Sequence, residues 1–313
     1  MVTDSALTRR GLPASKRISV GDIELDTLVM GDGPPVVLLH GYPQTKYMWR
    51  HQIPILARHF TVIAPDLRGY GDSDKPPSGE DHSGYSKRAM ARDIIALMDA
   101  LGFSRFSVVG HDRGARVAYR LTLDNPDRVE KLAVLDIIPT LTVFETVNQE
   151  VASSYYHWFF LSQPKDFPER LIGAEPAYYL RHTLHSWSSS HLIFDQETFA
   201  EYLRCFSDPA CITATCEDYR AGATIDLAHD RADWGTRLDV PLLTLWGTDG
   251  LLERQHDVLA IWWAKANEVR GQAIPSGHFL AEERPAETLH HLWSFLTDEP
   301  FPDDLTVPEG PAP

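Results

Sequence analysis

The stretch from Phe106 to Arg120 reads FSVVGHDRGARVAYR, a short apolar run, then Gly110-His111-Asp112-Arg113-Gly114, then a helical pattern. A G-x-nucleophile-x-G turn between strand and helix holds its central residue strained and accessible, while the glycines let the flanking backbone pack closely. Taken alone, GxDxG is commonly no more than a turn, so its setting matters. The central residue here is Asp112. A carboxylate is already ionised at neutral pH and needs no base to activate it. It is a poor nucleophile towards amides and esters, but it can displace a leaving group from an sp³ carbon. The product is an alkyl ester, which a base-activated water then hydrolyses. Ser276-Gly277-His278-Phe279 lies before the final helical pattern and offers His278 as that base. His40-Gly41-Tyr42-Pro43 follows an apolar PVVLL run and would bring the Tyr42 amide beside the nucleophile as an oxyanion donor.

The elements that must position these groups alternate in type. β-branched runs at Ile23–Met30, Pro35–Leu39, Phe60–Ala64, Phe106–Val109 and Leu132–Leu135 read as strands, and Val240–Trp246 and Val269–Ile274 resume the pattern later. Ser86–Leu101, ending at Gly102, and Arg113–Leu123 read as helices between them, and a last helix spans Pro285–Phe295. Strand–helix alternation of this kind predicts a mostly parallel sheet. The stretch from Thr140 to about residue 236 is aromatic-rich and helical. The chain is therefore expected to form an α/β-hydrolase core, residues 1–139 and 237–313, interrupted by a helical cap at residues 140–236. The Pro- and acid-rich tail from Asp298 is expected to be loose. Two aspartates compete to orient His278: Asp136, just after the LAVL strand, and Asp249 in Trp246-Gly247-Thr248-Asp249. In the W-G-x-x-D pattern of α/β-hydrolases the acid falls three residues past the glycine, which here is Gly250, so Asp136 is preferred.

Composition limits the partners. Across 313 residues, 44 acidic side chains outweigh 29 basic ones for a net charge of −15. That excess argues against a nucleic-acid binder, which needs a basic face. No apolar run reaches membrane-span length and no secretory h-region is visible, so a cytoplasmic location without membrane association is expected. Cys205, Cys211 and Cys216 form neither a disulfide framework nor a CxxC pair, and no metal or cofactor is expected.

Arg113 and Arg116 are three residues apart at the start of the elbow helix, where helical geometry puts both on one face near an anion-favouring N-terminus. Two guanidiniums there would clamp a carboxylate. The string G-H-D-R-G-A-R-V-A, together with Tyr156-His157-Trp158-Phe159-Phe160 and Asp218-Tyr219-Arg220, resembles the fluoroacetate (haloacetate) dehalogenases from the HGYPQ loop to the SGHFL loop. The resemblance implies Asp112 as nucleophile, His278 as base and Asp136 as its acid. It further implies Arg113 and Arg116 as carboxylate ligands, and His157, Trp158 and Tyr219 as halide ligands. Trp187 resembles a cap tryptophan that limits pocket size, and a homodimer is implied. The expected reaction converts a small anionic 2-haloacid to a 2-hydroxyacid. An epoxide hydrolase shares the Asp–His–Asp arrangement and could use Tyr155 or Tyr156 with Tyr219, but Arg113 stands where that group usually has an apolar or aromatic residue. A haloalkane dehalogenase would place Trp after the nucleophile. A catalytically silent small-acid receptor of the same fold is the alternative outside enzymes.

Overall fold

The computed structural model describes residues 10–190, 193–302 and 305. Its centre is one eight-stranded sheet in the order β1–β2–β4–β3–β5–β6–β7–β8. The strands are β1 (Lys16–Ser19), β2 (Glu24–Met30), β3 (Pro35–Leu39), β4 (Thr61–Pro65), β5 (Phe106–His111), β6 (Val129–Leu135), β7 (Leu242–Gly247) and β8 (Val269–Ile274). β1, β2 and β4 pair antiparallel, and from β4 to β8 every pairing is parallel. β3, β5 and β7 are buried along almost their whole length, as expected where helices cover both faces of a parallel sheet. The predicted strands recur, with β2 starting one residue later than expected, β4 lying one residue later, β5 and β6 longer, and β7 starting two residues and ending one residue later. β1 was not predicted. Its KRIS sequence carries two cations and lies at the sheet edge, where exposed charge masks any alternation.

Helix α1 (Lys87–Ala100) starts at Ser86, whose side chain accepts the Ala89 N–H, and ends before Gly102 at φ +83°. It packs on α2 (Asp112–Asp124), which lies against β5 and β6. Between β6 and β7 the chain leaves the sheet and forms α3 (Thr140–Glu145), α4 (Gln149–Ser154), α5 (Tyr156–Leu161), α6 (Phe167–Ala174), α7 (Pro176–Trp187), α8 (Gln196–Phe206), α9 (Pro209–Ala223) and α10 (Ile225–Ala232). α9 contacts α5, α6, α8 and α10 and is buried on nearly every side, so its charged residues must find partners within the fold. The last helix, α11 (Pro285–Thr297), follows the His278 loop. Most of the tail expected to be loose lies outside the described residues. No helix among them is long and apolar enough to cross a membrane.

Register explains why this scaffold can assemble a site. Leu39 pairs with Gly110, Gly110 with Val134, and His111 with Leu135. Leu135 in turn pairs with Leu245, and Gly247 with Ile274. The C-terminal ends of β3, β5, β6, β7 and β8 therefore align, so that Tyr42, Asp112, Asp136 and His278, distant in sequence, emerge along one edge. This is the edge where open α/β sheets place their ligand crevices.

Candidate active site

Asp112 sits at the β5–α2 junction with φ +46°, in the left-handed region that non-glycine residues rarely adopt. The turn closes this tightly because its neighbours lack side chains. A Cβ on Gly114 would lie 2.3 Å from the His40 carbonyl oxygen, and one on Gly41 would lie 2.6 Å from the Asp112 Cβ. The Tyr42 N–H donates to Asp112 Oδ2 at 2.9 Å. Burial pushes the Asp112 carboxyl up, but His278, Arg113 and Arg116 outweigh it and hold the group below the usual carboxylate range.

His278 Nδ1 lies 2.6 Å from Asp136 Oδ2, and the other Asp136 oxygen accepts the Gly247 N–H at 3.0 Å. Asp136 also occupies the left-handed region, at φ +53°, where β6 ends. The competitor Asp249 is exposed at the cavity mouth. With Nδ1–H donated to Asp136, His278 Nε2 is the acceptor tautomer's open nitrogen; it is buried and has no protein partner. Burial lowers the His278 pKa, but the Asp136 hydrogen bond and the charges of Asp136, Asp112 and Glu283 carry it above 6.5. His111 supports the loop, with Nε2 lying 2.8 Å from the His278 carbonyl oxygen.

Asp112, Arg116, Asp136, Tyr155, His157, Trp158, Trp187 and His278 share one cavity of about 380 Å³, which opens past Ser153, Ser186 and Arg254. Arg116 is buried. Its Nη1 donates to the Ile138 carbonyl at 2.9 Å and to Thr140 Oγ1 at 3.0 Å, its Nε has no partner, and among the described residues it forms no ion pair. Burial and repulsion from Arg113 lower its pKa, and the Asp112 charge in the same cavity offsets them only in part. His157 is pushed down to about 3 by burial and is therefore neutral, with a buried, unpartnered Nδ1. The Trp187 ring lies 4.3 Å from that of His157, and its carbonyl accepts the His278 N–H at 2.8 Å.

Three expected pocket residues stand behind this lining. Tyr42 contributes its amide. Tyr219 packs its ring 5.7 Å from His157 and 6.3 Å from Trp158, with a buried hydroxyl that has no partner. Arg113 has a second engagement. It was expected to share the carboxylate with Arg116, but its Nε and Nη2 bind Asp218 at 3.0 and 2.6 Å, and Nη2 also reaches the Asp218 carbonyl at 2.8 Å. Lys87 and Tyr70 complete the shell around Asp218, which is wholly buried on α9. The physical reason is compensation: an enclosed acid on a buried helix must be paired, and Arg113 is the cation it meets.

Two positioning groups carried no role in the sequence. Asp218 was visible only as the residue before Tyr219. Glu283, in the AEERP segment, accepts N–H bonds from Gly277, Phe279 and Ser189, each at 2.9 Å. It thus brackets His278 and ties its loop to the segment after Trp187. An acid a few residues past a loop histidine was the available signal. Glu283→Gln is expected to lower turnover by roughly ten- to a hundredfold by loosening His278. Since it removes one of the charges that raise the His278 pKa, it should also move the acid limb of the kcat–pH profile to lower pH. An unmoved limb would leave Glu283 a purely structural anchor.

Fold and site together define an α/β-hydrolase with a carboxylate at its nucleophile elbow. The family model for the alpha/beta hydrolase fold matches residues 34–285. The chain is 44% identical to a fluoroacetate dehalogenase from Burkholderia sp over 282 residues, 90% of this chain and 93% of that one. It is 40% identical over 259 residues to a soluble epoxide hydrolase from Corynebacterium sp. (strain C12), covering 82% and 87%. The crystal structure of ALR0039 from Nostoc sp PCC 7120 superposes with a TM-score of 0.89 at 53% identity, covering 90% of this chain and 97% of that one. The chain belongs to the α/β-hydrolase fold family and, within it, to the dehalogenase family.

Proposed function

We propose that the protein is a cofactor-free hydrolase of short 2-haloacids, fluoroacetate among them, releasing halide and the 2-hydroxyacid. The observation that carries this reading is Arg116, an enclosed guanidinium with no acidic partner, lining the same cavity as the Asp112 carboxylate. A bound carboxylate would form the ion pair that Arg116 lacks and hold the adjacent carbon before Asp112. Asp112 Oδ1 attacks that carbon and the halide leaves towards His157, Trp158 and Tyr219. Oδ2 becomes the ester carbonyl oxygen, already held by the Tyr42 N–H, which then stabilises the oxyanion formed when water adds. His278 Nε2 takes the proton from that water while Asp136 holds the imidazolium. Esterification also erases the Asp112 charge that helps to raise the His278 pKa, which favours the neutral base when it is needed. Haloacetates with and without fluorine, assayed for halide and glycolate, test the reading; absence of turnover on all of them overturns it.

The leaving-group donors should discriminate between halides. Fluoride is small, strongly hydrated and a poor leaving group, so it depends most on donors in a desolvated site. Loss of one preorganised donor costs about 2.7–4 kcal/mol where charge is fully developed. Trp158→Phe keeps most of the ring and deletes the indole N–H, and is expected to slow fluoroacetate more than chloroacetate. Equal losses, measured with chemistry limiting, would leave Trp158 as packing.

A further inference from the structure

We propose that Thr140 is a positioning residue that aims Arg116 at the substrate carboxylate, acting from the same short segment that carries Asp136. This rests on the reading that Arg116 holds a substrate carboxylate. A guanidinium is a planar fork of five N–H donors, and the edge it turns to a ligand is set by the acceptors behind it. Arg116 Nη1 donates to the Ile138 carbonyl at 2.9 Å and to Thr140 Oγ1 at 3.0 Å. That leaves the Nε–Nη2 edge, whose two N–H bonds run parallel, for a carboxylate. Arg113 shows what this edge does when an acid is present, since its Nε and Nη2 take Asp218. A hydroxyl holds the cation without cancelling its charge, whereas a carboxylate in its place would do to Arg116 what Asp218 does to Arg113. The Arg116 guanidinium also lies 4.5 Å from the centroid of the Trp158 ring, so aiming it sets the carboxylate relative to a proposed halide donor.

The segment from Asp136 to Thr140 is buried and held along its length. The Asp136 N–H donates to the Leu245 carbonyl at 2.7 Å, and the Trp262 indole N–H donates to the Ile137 carbonyl at 3.1 Å. Pro139 fixes its own φ, at −51°, between the two acceptors of Arg116. Past Thr140, the Leu141 N–H donates to Asp230 Oδ2 at 3.1 Å. Asp230 Oδ1 lies 3.5 Å from Nη2 of Arg120, about one helical turn beyond Arg116 on α2. Both ends of the segment are thus tied to the sheet and to α2. Five consecutive residues orient two groups of the site: Asp136 sets His278, and Thr140 sets Arg116.

The test is a double-mutant cycle on chloroacetate with Thr140→Val, Arg116→Ala and the pair, alongside the rise in thermal midpoint given by acetate. Thr140→Val keeps the β-branched shape and deletes the acceptor. It should lower kcat/KM about ten- to a hundredfold, the scale of one hydrogen bond to a charged group, with KM rising more than kcat falls. The acetate-induced rise in midpoint should shrink with it. Thr140→Ser should restore both readouts, and Thr140→Ala, a smaller variant without the acceptor, should follow Thr140→Val. In the Arg116→Ala background Thr140→Val should cost about twofold at most, because a residue that works through Arg116 then has nothing to aim. Wild-type kcat/KM and acetate response in the valine and alanine variants overturn the proposal, even where the midpoint itself falls, and so does an undiminished loss in the Arg116→Ala background. Unchanged chloroacetate kinetics in Arg116→Ala, or an inert wild type, overturns the carboxylate reading as well. A loss in Arg116→Ala with none in the Thr140 variants overturns the positioning role alone.

Discussion

His278→Asn is expected to stop after half a cycle, with haloacetate releasing one equivalent of halide and leaving a glycolyl ester on Asp112. The asymmetry follows from the electrostatics. The Asp112 pKa lies below the usual range, so the carboxylate is ionised and attacks unaided, whereas water needs the open Nε2 of His278. Asp112→Asn should instead release no halide, a loss on the order of 10⁶-fold if it matches nucleophile deletions in other hydrolases. Mass spectrometry of the digested His278→Asn protein decides the point. One equivalent of halide with an unmodified Asp112 peptide would mean that water, not the carboxylate, attacks carbon. The pH dependence has a definite sign. The base must be neutral and its pKa is raised in the free enzyme, so turnover should rise with pH through an acid limb. In the trapped-ester step that limb should lie lower, because Asp112 no longer carries charge.

Arg116→Ala is expected to lower kcat/KM for haloacetate by about 10³-fold, from two charged hydrogen bonds to substrate at about 1.5–3 kcal/mol each. Its folding stability should fall little, since an enclosed cation without a counter-ion is removed. Arg113→Ala should behave differently. It leaves Asp218 short of a partner inside α9, and breaking a buried pair costs about 3–5 kcal/mol. The thermal midpoint should therefore drop more for Arg113→Ala than for Arg116→Ala. Acetate, a halogen-free acid, should raise the midpoint of the wild type and of a folded Arg113 variant but not of Arg116→Ala. Unchanged haloacetate kinetics in Arg116→Ala would show that the cavity is not built around a carboxylate.

Much of this was legible from local signals. Short β-branched runs bounded by Gly and Pro specify buried strands wherever the register is set by an apolar core, and β3 appears at its predicted limits; the half-exposed edge strand β8 does so too. The elbow was readable because a strained turn needs particular neighbours, and Gly41 and Gly114 sit where any side chain would collide. β1 was missed because an edge strand gains less from burial than from its backbone pairing with β2, which leaves little trace in residue type.

The sequence by itself determined the parallel core, the carboxylate at the elbow, and the preference for Asp136 over Asp249. Each depends on residue types within a few positions of one another or on a fixed offset from a strand end. Only the tertiary structure decided how the charges are shared. Arg113 and Arg116 are equivalent by spacing on α2, yet one meets Asp218 from a helix about a hundred residues later and the other lines the cavity. Glu283 likewise acquires its place only when the segment after Trp187 folds against the His278 loop. Pairing of buried charge depends on which side chains arrive at the same point in space, and one-dimensional spacing holds no record of that arrival.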